Sequence, residues 1–519
     1  MPRLTIDNFE VEVPDGATVL DAAKKLGIDV PTMCYLKGYE PSTSCMVCVV
    51  KVEGRAVLLP ACGTLAQDGM RVESNCEEVR QARRMALELL LSDHVGDCLG
   101  PCHTICPAQM NIPLMIRQIA AGRLREAIEI VKKDIALPAV LGRICPKPCE
   151  RGCRRAAIDE AVSICLLKRY VADVDLESAE PYSPVCGPDQ DKRVAIIGAG
   201  PAGLAAAYYL RQAGFVCTIF DDHEKPGGML RYGVPEEELP RDVLDKEIAR
   251  IEKLGFIFEG NTRVDNAASL EKLRKDFDAV FVAFGVLDAG VARSMGLKTS
   301  ANGVAIDGKT YQTNLPGVFA GGDAVRKRRL TVRAVADGKE AAESISQYLS
   351  NVAVTGPANS FNMRIGKIED AEKERFAACG SNAPRVTVSG KGDGFTDEQA
   401  KQEAARCLHC DCRKAEGCKL RRYAQDYDAR PAQYKGRRRL FVQHIQHPQI
   451  IYEPGKCIDC GLCIQIATEA GEEFGLAFIG RGFDVHVAVP FGRSIAEGLR
   501  QTAAKCVAAC PTGALSYKE

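Results

Sequence analysis

RVAIIGAGPAGLAAAYYLRQAGFVCTIFDDHEKPGG, residues 193–228, decides how the rest of the chain is read. A short apolar strand, Val194–Ile197, runs into Gly198-x-Gly200-x-x-Gly203. Pro201 and Ala202 open a helical pattern that runs through Gln212, and a second apolar strand, Val216–Phe220, ends at Asp221. That order and length make a dinucleotide-binding βαβ unit. Gly198 permits the tight turn, Gly200 lets the backbone approach a pyrophosphate, and Gly203 lets helix and strand pack closely, with the helix N-terminus facing the phosphates. Asp221, 23 residues after Gly198, stands where a carboxylate binds a ribose hydroxyl.

Two further pieces select FAD over NAD. Gly227-Gly228-Met229 follows the second strand, and Gly317-Val-Phe-Ala-Gly-Gly322-Asp323 reads as a strand ending in a turn that sets a carboxylate on a ribityl chain. With GGMLRYGVP (227–235), FDAVFVAFG (277–285) and GVFAGGD (317–323), the segment resembles the flavin domain of the glutamate synthase small subunit. The resemblance implies FAD held by Gly198, Gly200, Pro201, Ala202, Gly203, Asp221, Gly227, Gly228, Met229, Gly322 and Asp323. In that family a complete NAD(P)-binding domain follows the strand ending at Gly285. Here only 32 residues separate Gly285 from Val318, with no second glycine fingerprint, and a βαβ unit needs roughly thirty or more. SANGVAIDGKTYQTN (300–314) looks like the return strands of the FAD fold, so the nicotinamide domain is expected to be deleted. Thr331–Leu349 is expected as a helix aimed at the flavin. The basic run from Arg326 to Arg329 reads as a phosphate or partner contact, or as a solvated face.

Across the whole chain, 519 residues allow three or more domains. Lys plus Arg (68) equals Asp plus Glu (68), so no net field favours nucleic acid or an anionic membrane. No apolar run reaches a membrane span, and MPRLTIDNFEVEV has no apolar signal core. A cytoplasmic protein is expected. The 24 cysteines lie mostly in tight clusters, which in such a chain means metal or redox chemistry rather than a disulfide framework.

Residues 1–75 read as a small β-rich domain carrying Cys34, Cys45, Cys48 and Cys62 at C-x10-C-x2-C-x13-C. Four thiolates hold two irons, two for each; zinc is the alternative, though it favours two compact pairs. VEVPDGATVLDAAKKLGIDVPTMCY and LPAC resemble the N-terminal [2Fe–2S] domain of the G-type subunit of NADH dehydrogenase and of multisubunit iron hydrogenases, which implies a β-grasp fold. Cys76 falls outside the pattern.

Residues 76–185 read as helical, with Cys98, Cys102, Cys106, Cys145, Cys149 and Cys153. They resemble the helical double-cluster region of the glutamate synthase small subunit, which carries two [4Fe–4S] clusters. Transferred by position, Cys98, Cys102 and Cys153 serve one cluster and Cys106, Cys145 and Cys149 the other. Each needs a fourth ligand. His94 is the candidate for the first, the alternative being a surface histidine. For the second, the resembled family uses an acid or amide where this chain has Lys168, a cation that cannot ligate iron. Cys165, one turn earlier, is the candidate, the alternative being a packing thiol.

A Pro- and Ser-rich linker, residues 176–192, leads to the FAD-binding domain at 190–350. The connector, 351–440, holds Cys407-x2-Cys410-x-Cys412-x5-Cys418, expected to share one [4Fe–4S] cluster, with zinc as the alternative; His409 is a supporting donor. Lys435–Arg439 reads as an exposed docking tract. Residues 445–519 carry Cys457-x2-Cys460-x2-Cys463 and the distant Cys510-Pro511, resembling a bacterial ferredoxin module with one [4Fe–4S] cluster and Cys506 unligated.

The fold class expected is multidomain α/β and α+β: a β-grasp [2Fe–2S] domain, a helical double-cluster domain, a Rossmann-like FAD domain and a C-terminal ferredoxin-like domain. The cofactors expected are FAD, one [2Fe–2S] and four [4Fe–4S] clusters. No catalytic triad or paired-carboxylate motif stands out. Nearly the whole chain resembles the flavin–iron–sulfur large subunit of ferredoxin:NADP transhydrogenase with a complex-I-type [2Fe–2S] domain in front. The resemblance implies an electron-transfer subunit of a multisubunit oxidoreductase, with electron bifurcation among its roles. Its implied partners are an NADH-oxidising flavoprotein of the F-type complex I kind with its E-type subunit, and ferredoxin or a hydrogenase or formate dehydrogenase subunit. A self-contained NAD(P)H-dependent reductase and a non-enzymatic cluster scaffold are the alternatives.

Overall fold

The computed structural model describes residues 1–286, 289–326, 330–390, 392–436 and 438–518. It divides into two compact units. Unit one comprises Met1–Gly100, Ser360–Ala378 and His409–Glu519; unit two comprises Pro101–Asn359 and Cys379–Leu408. The five segments expected in series are thus distributed over two units, and the second interrupts the first in sequence.

Unit one begins with strands β1 (Arg3–Ile6), β2 (Phe9–Glu12), β3 (Val49–Val52), β4 (Leu59–Pro60) and β5 (Arg71–Glu73) in the order β2-β1-β5-β3-β4. The alternation in LTIDNFEVEV sends Leu4, Ile6, Val11 and Val13 inward, against Val19 and Leu20 of the helix Val19–Lys25. That helix starts at a capping box, Thr18 with Asp21. Cys34, Cys45 and Cys48 lie between this helix and β3, and Cys62 follows β4. A second helix, Glu77–Ser92, buries Val79, Leu87 and Leu91. Its buried Arg83 donates to the Val49 carbonyl at 2.8 Å and to the Tyr427 hydroxyl at 2.9 Å.

Unit two is built on a parallel sheet. Its strands are β6 (Arg193–Ile197), β7 (Val216–Phe220), β8 (Ile257–Glu259), β9 (Ala279–Val282) and β12 (Val318–Ala320), in the order β12-β9-β6-β7-β8; β10 (Thr299–Ser300) and β11 (Gly303–Val304) form a separate ribbon. The glycine turn therefore leaves the C-terminal end of the central strand, where open α/β sheets bind ligands. Helices Ile112–Ala120, Leu124–Asp134, Pro138–Ile144 and Ile164–Glu177 share one continuous core with this sheet and with the helix Thr331–Leu349. The expected helical and flavin segments are thus one packed body. Between β9 and β12 the described residues form a short helix, Ala289–Ser294, and the β10–β11 ribbon; no second βαβ unit is found among them.

Unit one closes with β13 (Ile450–Tyr452), β14 (Ala477–Ile479), β15 (His486–Ala488) and β16 (Leu515–Tyr517), paired β13–β16 and β14–β15. The helices Leu462–Glu469 and Ala503–Ala509 pack against each other behind them.

Candidate functional site

Three glycine-bearing segments of unit two converge on the start of the helix Pro201–Gln212. Gly198 sits at φ +106°, and its N–H donates to the Phe220 carbonyl at 2.7 Å. A Cβ on Gly203 would lie 1.9 Å from the Gly198 carbonyl oxygen, so only glycine lets the helix start there. Gly227 donates to the Ala199 carbonyl at 2.9 Å, and a Cβ on Gly228 would meet the Gly200 Cα at 2.8 Å. A Cβ on Gly322 would meet that of Ala202 at 2.9 Å. Around Gly200 itself, by contrast, the Cβ position is open. The result is a cradle lined by glycine backbone beside a helix N-terminus, which fits a pyrophosphate.

Asp221 is buried beneath this turn. One carboxylate oxygen accepts from the Ala199 N–H at 2.6 Å and the other from the His223 N–H at 2.9 Å. It therefore braces the glycine turn, a role its spacing did not reveal. Below the Gly322–Asp323 turn, the fully buried Asp337 accepts from the Gly322 N–H at 3.1 Å, Arg326 at 2.8 Å and Arg333 at 2.8 Å. Arg326 is thus structural, while the rest of its basic run, residues 327–329, lies outside the described residues. Met229, at the start of a one-turn helix, is 60% exposed.

In the N-terminal domain the Sγ atoms of Cys34 and Cys45 approach to 3.4 Å, as do those of Cys48 and Cys62. Hydrogen bonds with Cys45 and Cys62 hold the Cys34 thiol well below the ordinary thiol range, and the same contacts push Cys45 and Cys62 up. Four buried thiols this close cannot all ionise unless a cation joins them.

Three further sites are small cavities. The first is walled by Cys457, Cys460, Cys463 and Cys510, with Tyr452, Val487 and Leu515. Burial raises the Cys457 and Cys463 thiols and takes Cys460 to about 12. Cys506 is not on the wall; its thiol points to the Cys463 carbonyl at 3.8 Å. The second brings together Cys106, Cys145, Cys149 and Cys165, with Lys168 and apolar side chains such as Ile112 and Val332. Cys165 is pushed up to about 12: its hydrogen bond with Cys145 works downward, while Cys149 and burial work upward.

The third cavity groups the candidate ligands differently from their spacing. It is lined by His94, Cys98, Cys412 and Cys418. Spacing and resemblance had set His94 and Cys98 with Cys102 and Cys153, and had set Cys412 and Cys418 with Cys407 and Cys410. In unit one, however, the Cys412 N–H donates to the Cys98 carbonyl at 3.2 Å, which brings the two distant strands of chain side by side. The His94 Nδ1 is buried without a hydrogen-bond partner among the described residues. Burial and the nearby Lys456 charge lower its pKa to about 3, so the imidazole is neutral and able to ligate. Burial takes Cys418 up to about 12.

Cys102, Cys153 and Cys407 belong to unit two. The helices Pro101–Ile105 and Pro148–Arg151 pack together, and the Arg155 guanidinium donates to the Arg406 carbonyl and, at 2.8 Å, to that of Ser381. Those contacts link the helix carrying Cys102 to the helix that precedes Cys153, and link Arg155, two residues after Cys153, to the residue before Cys407. Cys410, three residues beyond Cys407, keeps its C-x2-C step; neither lines the three cavities. Cys76 is the N-cap of the helix Glu77–Ser92.

The expected docking tract at 435–439 is largely tied down. Arg438 forks onto Glu372 at 2.5 and 2.7 Å, and Arg439 pairs with Asp93 at 2.9 Å; Arg437 lies outside the described residues.

Comparison with known proteins adds three matches. Residues 2–77 fit a 2Fe-2S iron-sulfur cluster binding domain, residues 73–180 the dihydropyrimidine dehydrogenase domain II, 4Fe-4S cluster, and residues 196–251 an NAD(P)-binding Rossmann-like domain. The chain is 39% identical over 240 residues to the NADP(+)-dependent formate dehydrogenase subunit beta of Moorella thermoacetica, covering 42% of this chain and 32% of that protein. It is 41% identical over 208 residues to the NADPH-Fe(3+) oxidoreductase subunit beta of Geobacter sulfurreducens, covering 39% and 30%. To the NAD-dependent dihydropyrimidine dehydrogenase subunit PreT of Escherichia coli it is 42% identical over 205 residues, covering 38% and 49%. The matched segment thus spans a third to a half of these relatives. Among the described residues no helix is long and apolar enough to cross a membrane.

Proposed function

We propose that this chain is a FAD- and iron–sulfur-containing electron-transfer subunit of a multisubunit oxidoreductase linked to NAD(P)H or ferredoxin. One observation carries the reading: three small cavities each present four ligand-type side chains. The paired thiols of the N-terminal domain and the glycine cradle support it, as do relatives named as subunits of NAD(P)-linked redox enzymes.

In this reading Cys34, Cys45, Cys48 and Cys62 hold a [2Fe–2S] cluster. Three [4Fe–4S] clusters sit on His94, Cys98, Cys412 and Cys418; on Cys106, Cys145, Cys149 and Cys165; and on Cys457, Cys460, Cys463 and Cys510. Cys102, Cys153 and Cys407 are ligands of a fourth. FAD lies in the cradle at Gly198–Gly203, Gly227–Gly228 and Gly322–Asp323. Bound clusters exchange single electrons and a flavin two, so the set joins one-electron to two-electron partners. The protein's own part is to orient and to insulate. Backbone N–H groups of Met363, Arg421 and Asp459 donate to the sulfurs of Cys98, Cys418 and Cys457 at 3.4, 3.5 and 3.4 Å, spreading the negative charge those sulfurs carry. Apolar walls keep water out. An NADH-oxidising flavoprotein of the F-type complex I kind, with its E-type subunit, is the proposed donor at the [2Fe–2S] domain. Ferredoxin or a hydrogenase or formate dehydrogenase subunit is the proposed partner elsewhere.

The match of residues 196–251 to an NAD(P)-binding model favours a second reading, a self-contained NAD(P)H-dependent reductase. Against it stands the interval between β9 and β12, too slight for a second nucleotide domain. Mixing the purified chain with NADH or NADPH under anaerobic conditions separates the two. The flavin band is expected to persist with either nucleotide and to bleach with dithionite. Rapid bleaching by a nucleotide alone would establish the second reading instead.

A further inference from the structure

Three lysines are buried among the described residues: Lys132, Lys168 and Lys456. Two have the usual solution to a buried cation, a carboxylate. Lys132 meets Asp175 at 2.6 Å and Lys456 meets Glu453 at 2.5 Å. Lys168 has none. Its Nζ donates to the Leu141 carbonyl at 3.1 Å, and no ion pair reaches it. Glu150, on the helix Pro148–Arg151, is spent elsewhere: it accepts from the Cys165 N–H at 3.0 Å and from Arg385 at 2.8 Å. What Lys168 does face is the cavity walled by Cys106, Cys145, Cys149 and Cys165.

Taking an ammonium out of water without a partner is costly, so a buried lysine implies a nearby negative charge. Four neutral thiols supply none. Four thiolates do, and they outweigh the positive charge of an iron–sulfur core, so a loaded site is net anionic. It gains one more negative charge when one electron enters and no proton follows. The sequence arranges this on one helix face. Cys165 supplies the fourth thiol, and three residues on, Lys168 leaves ligation free and points its charge at the same site.

Building on the cluster assignment above, we propose that Lys168 is the fixed counter-charge of the Cys106–Cys145–Cys149–Cys165 site, and that it raises the reduction potential of the group held there. It is a positioning residue, acting through the thiolates rather than on a substrate.

The test is redox potentiometry with EPR detection on the full chain, purified anaerobically. A Cys149→Ser variant identifies the signal belonging to this site; if it removes none and iron is unchanged, the cluster assignment itself fails. With the signal identified, Lys168→Met is expected to lower its reduction equilibrium constant at least tenfold, a shift of about 59 mV to more negative potential for a one-electron couple. Lys168→Arg, which keeps the charge, is expected to stay within threefold of the native chain. Should Lys168→Met fail to load iron, Lys168→Gln takes its place with the same expected shift. Unchanged potential in an iron-replete Met or Gln variant overturns the proposal. So does an equal shift in Lys168→Arg, or loss of the signal in all three, because either would make the role one of shape rather than charge.

Discussion

His94 shows what a single residue decides. A histidine four positions before Cys98 is equally a ligand or a surface group on spacing alone. The structure buries its Nδ1 without a partner among the described residues and holds the ring neutral, on the wall with Cys98, Cys412 and Cys418. If these four share one cluster, removing any one removes the same metal. Cys98→Ser and Cys412→Ser are each expected to lose about four iron atoms per chain and the same EPR signal, with the double variant losing no more. Cys102→Ser is expected to extinguish a different signal. Losses that add up in the double variant would return Cys98 and Cys412 to separate sites. Local spacing marks these cysteines as candidate ligands. It could not pair them, because the two halves of the set are joined through backbone contacts, such as Cys412 to Cys98, that bridge distant parts of the chain.

Elements were more legible. The capping box at Thr18 and the glycine turn after β6 are written in local chemistry, and each forms where its residues demand. Less legible were the basic tracts, because a run of arginines looks exposed until its acids are known. Glu372, on the helix Asp370–Ala377, is such an acid. Burial alone would raise its pKa, but Arg438 and the N–H groups of Glu369 and Phe441 outweigh that and bring it to about 2, against an unfolded value near 4.5. A depressed carboxylate stabilises the fold above the unfolded pKa and loses that contribution as pH falls toward the folded one. Glu372→Gln is therefore expected to cost about 3 kcal/mol near neutral pH. The gap from the native chain should narrow as pH falls from 4.5 toward 2. Urea midpoints by circular dichroism read it, and a gap independent of pH would mean the pair contributes shape alone.

At the scale of the molecule, the sequence reads as five segments in a row, whereas the structure has two units with one interrupting the other. The helical segment and the dinucleotide sheet share a core because the helices from Ile112 to Glu177 present apolar faces that the sheet and the helix Thr331–Leu349 cover. Periodicity reveals such a face but not its partner. Asp221 teaches the same lesson: its spacing predicts a ribose contact, and the contact its carboxylate makes in the fold is the one that braces the turn. The proposed inventory is an electron carrier with one flavin cradle and five cluster sites. The direct measurement is iron, acid-labile sulfide and FAD per chain after anaerobic purification, with EPR of the reduced protein. About 18 iron atoms, about one FAD and both [2Fe–2S] and [4Fe–4S] signals are expected. Zinc in place of iron, or a chain that carries no flavin, would contradict the account.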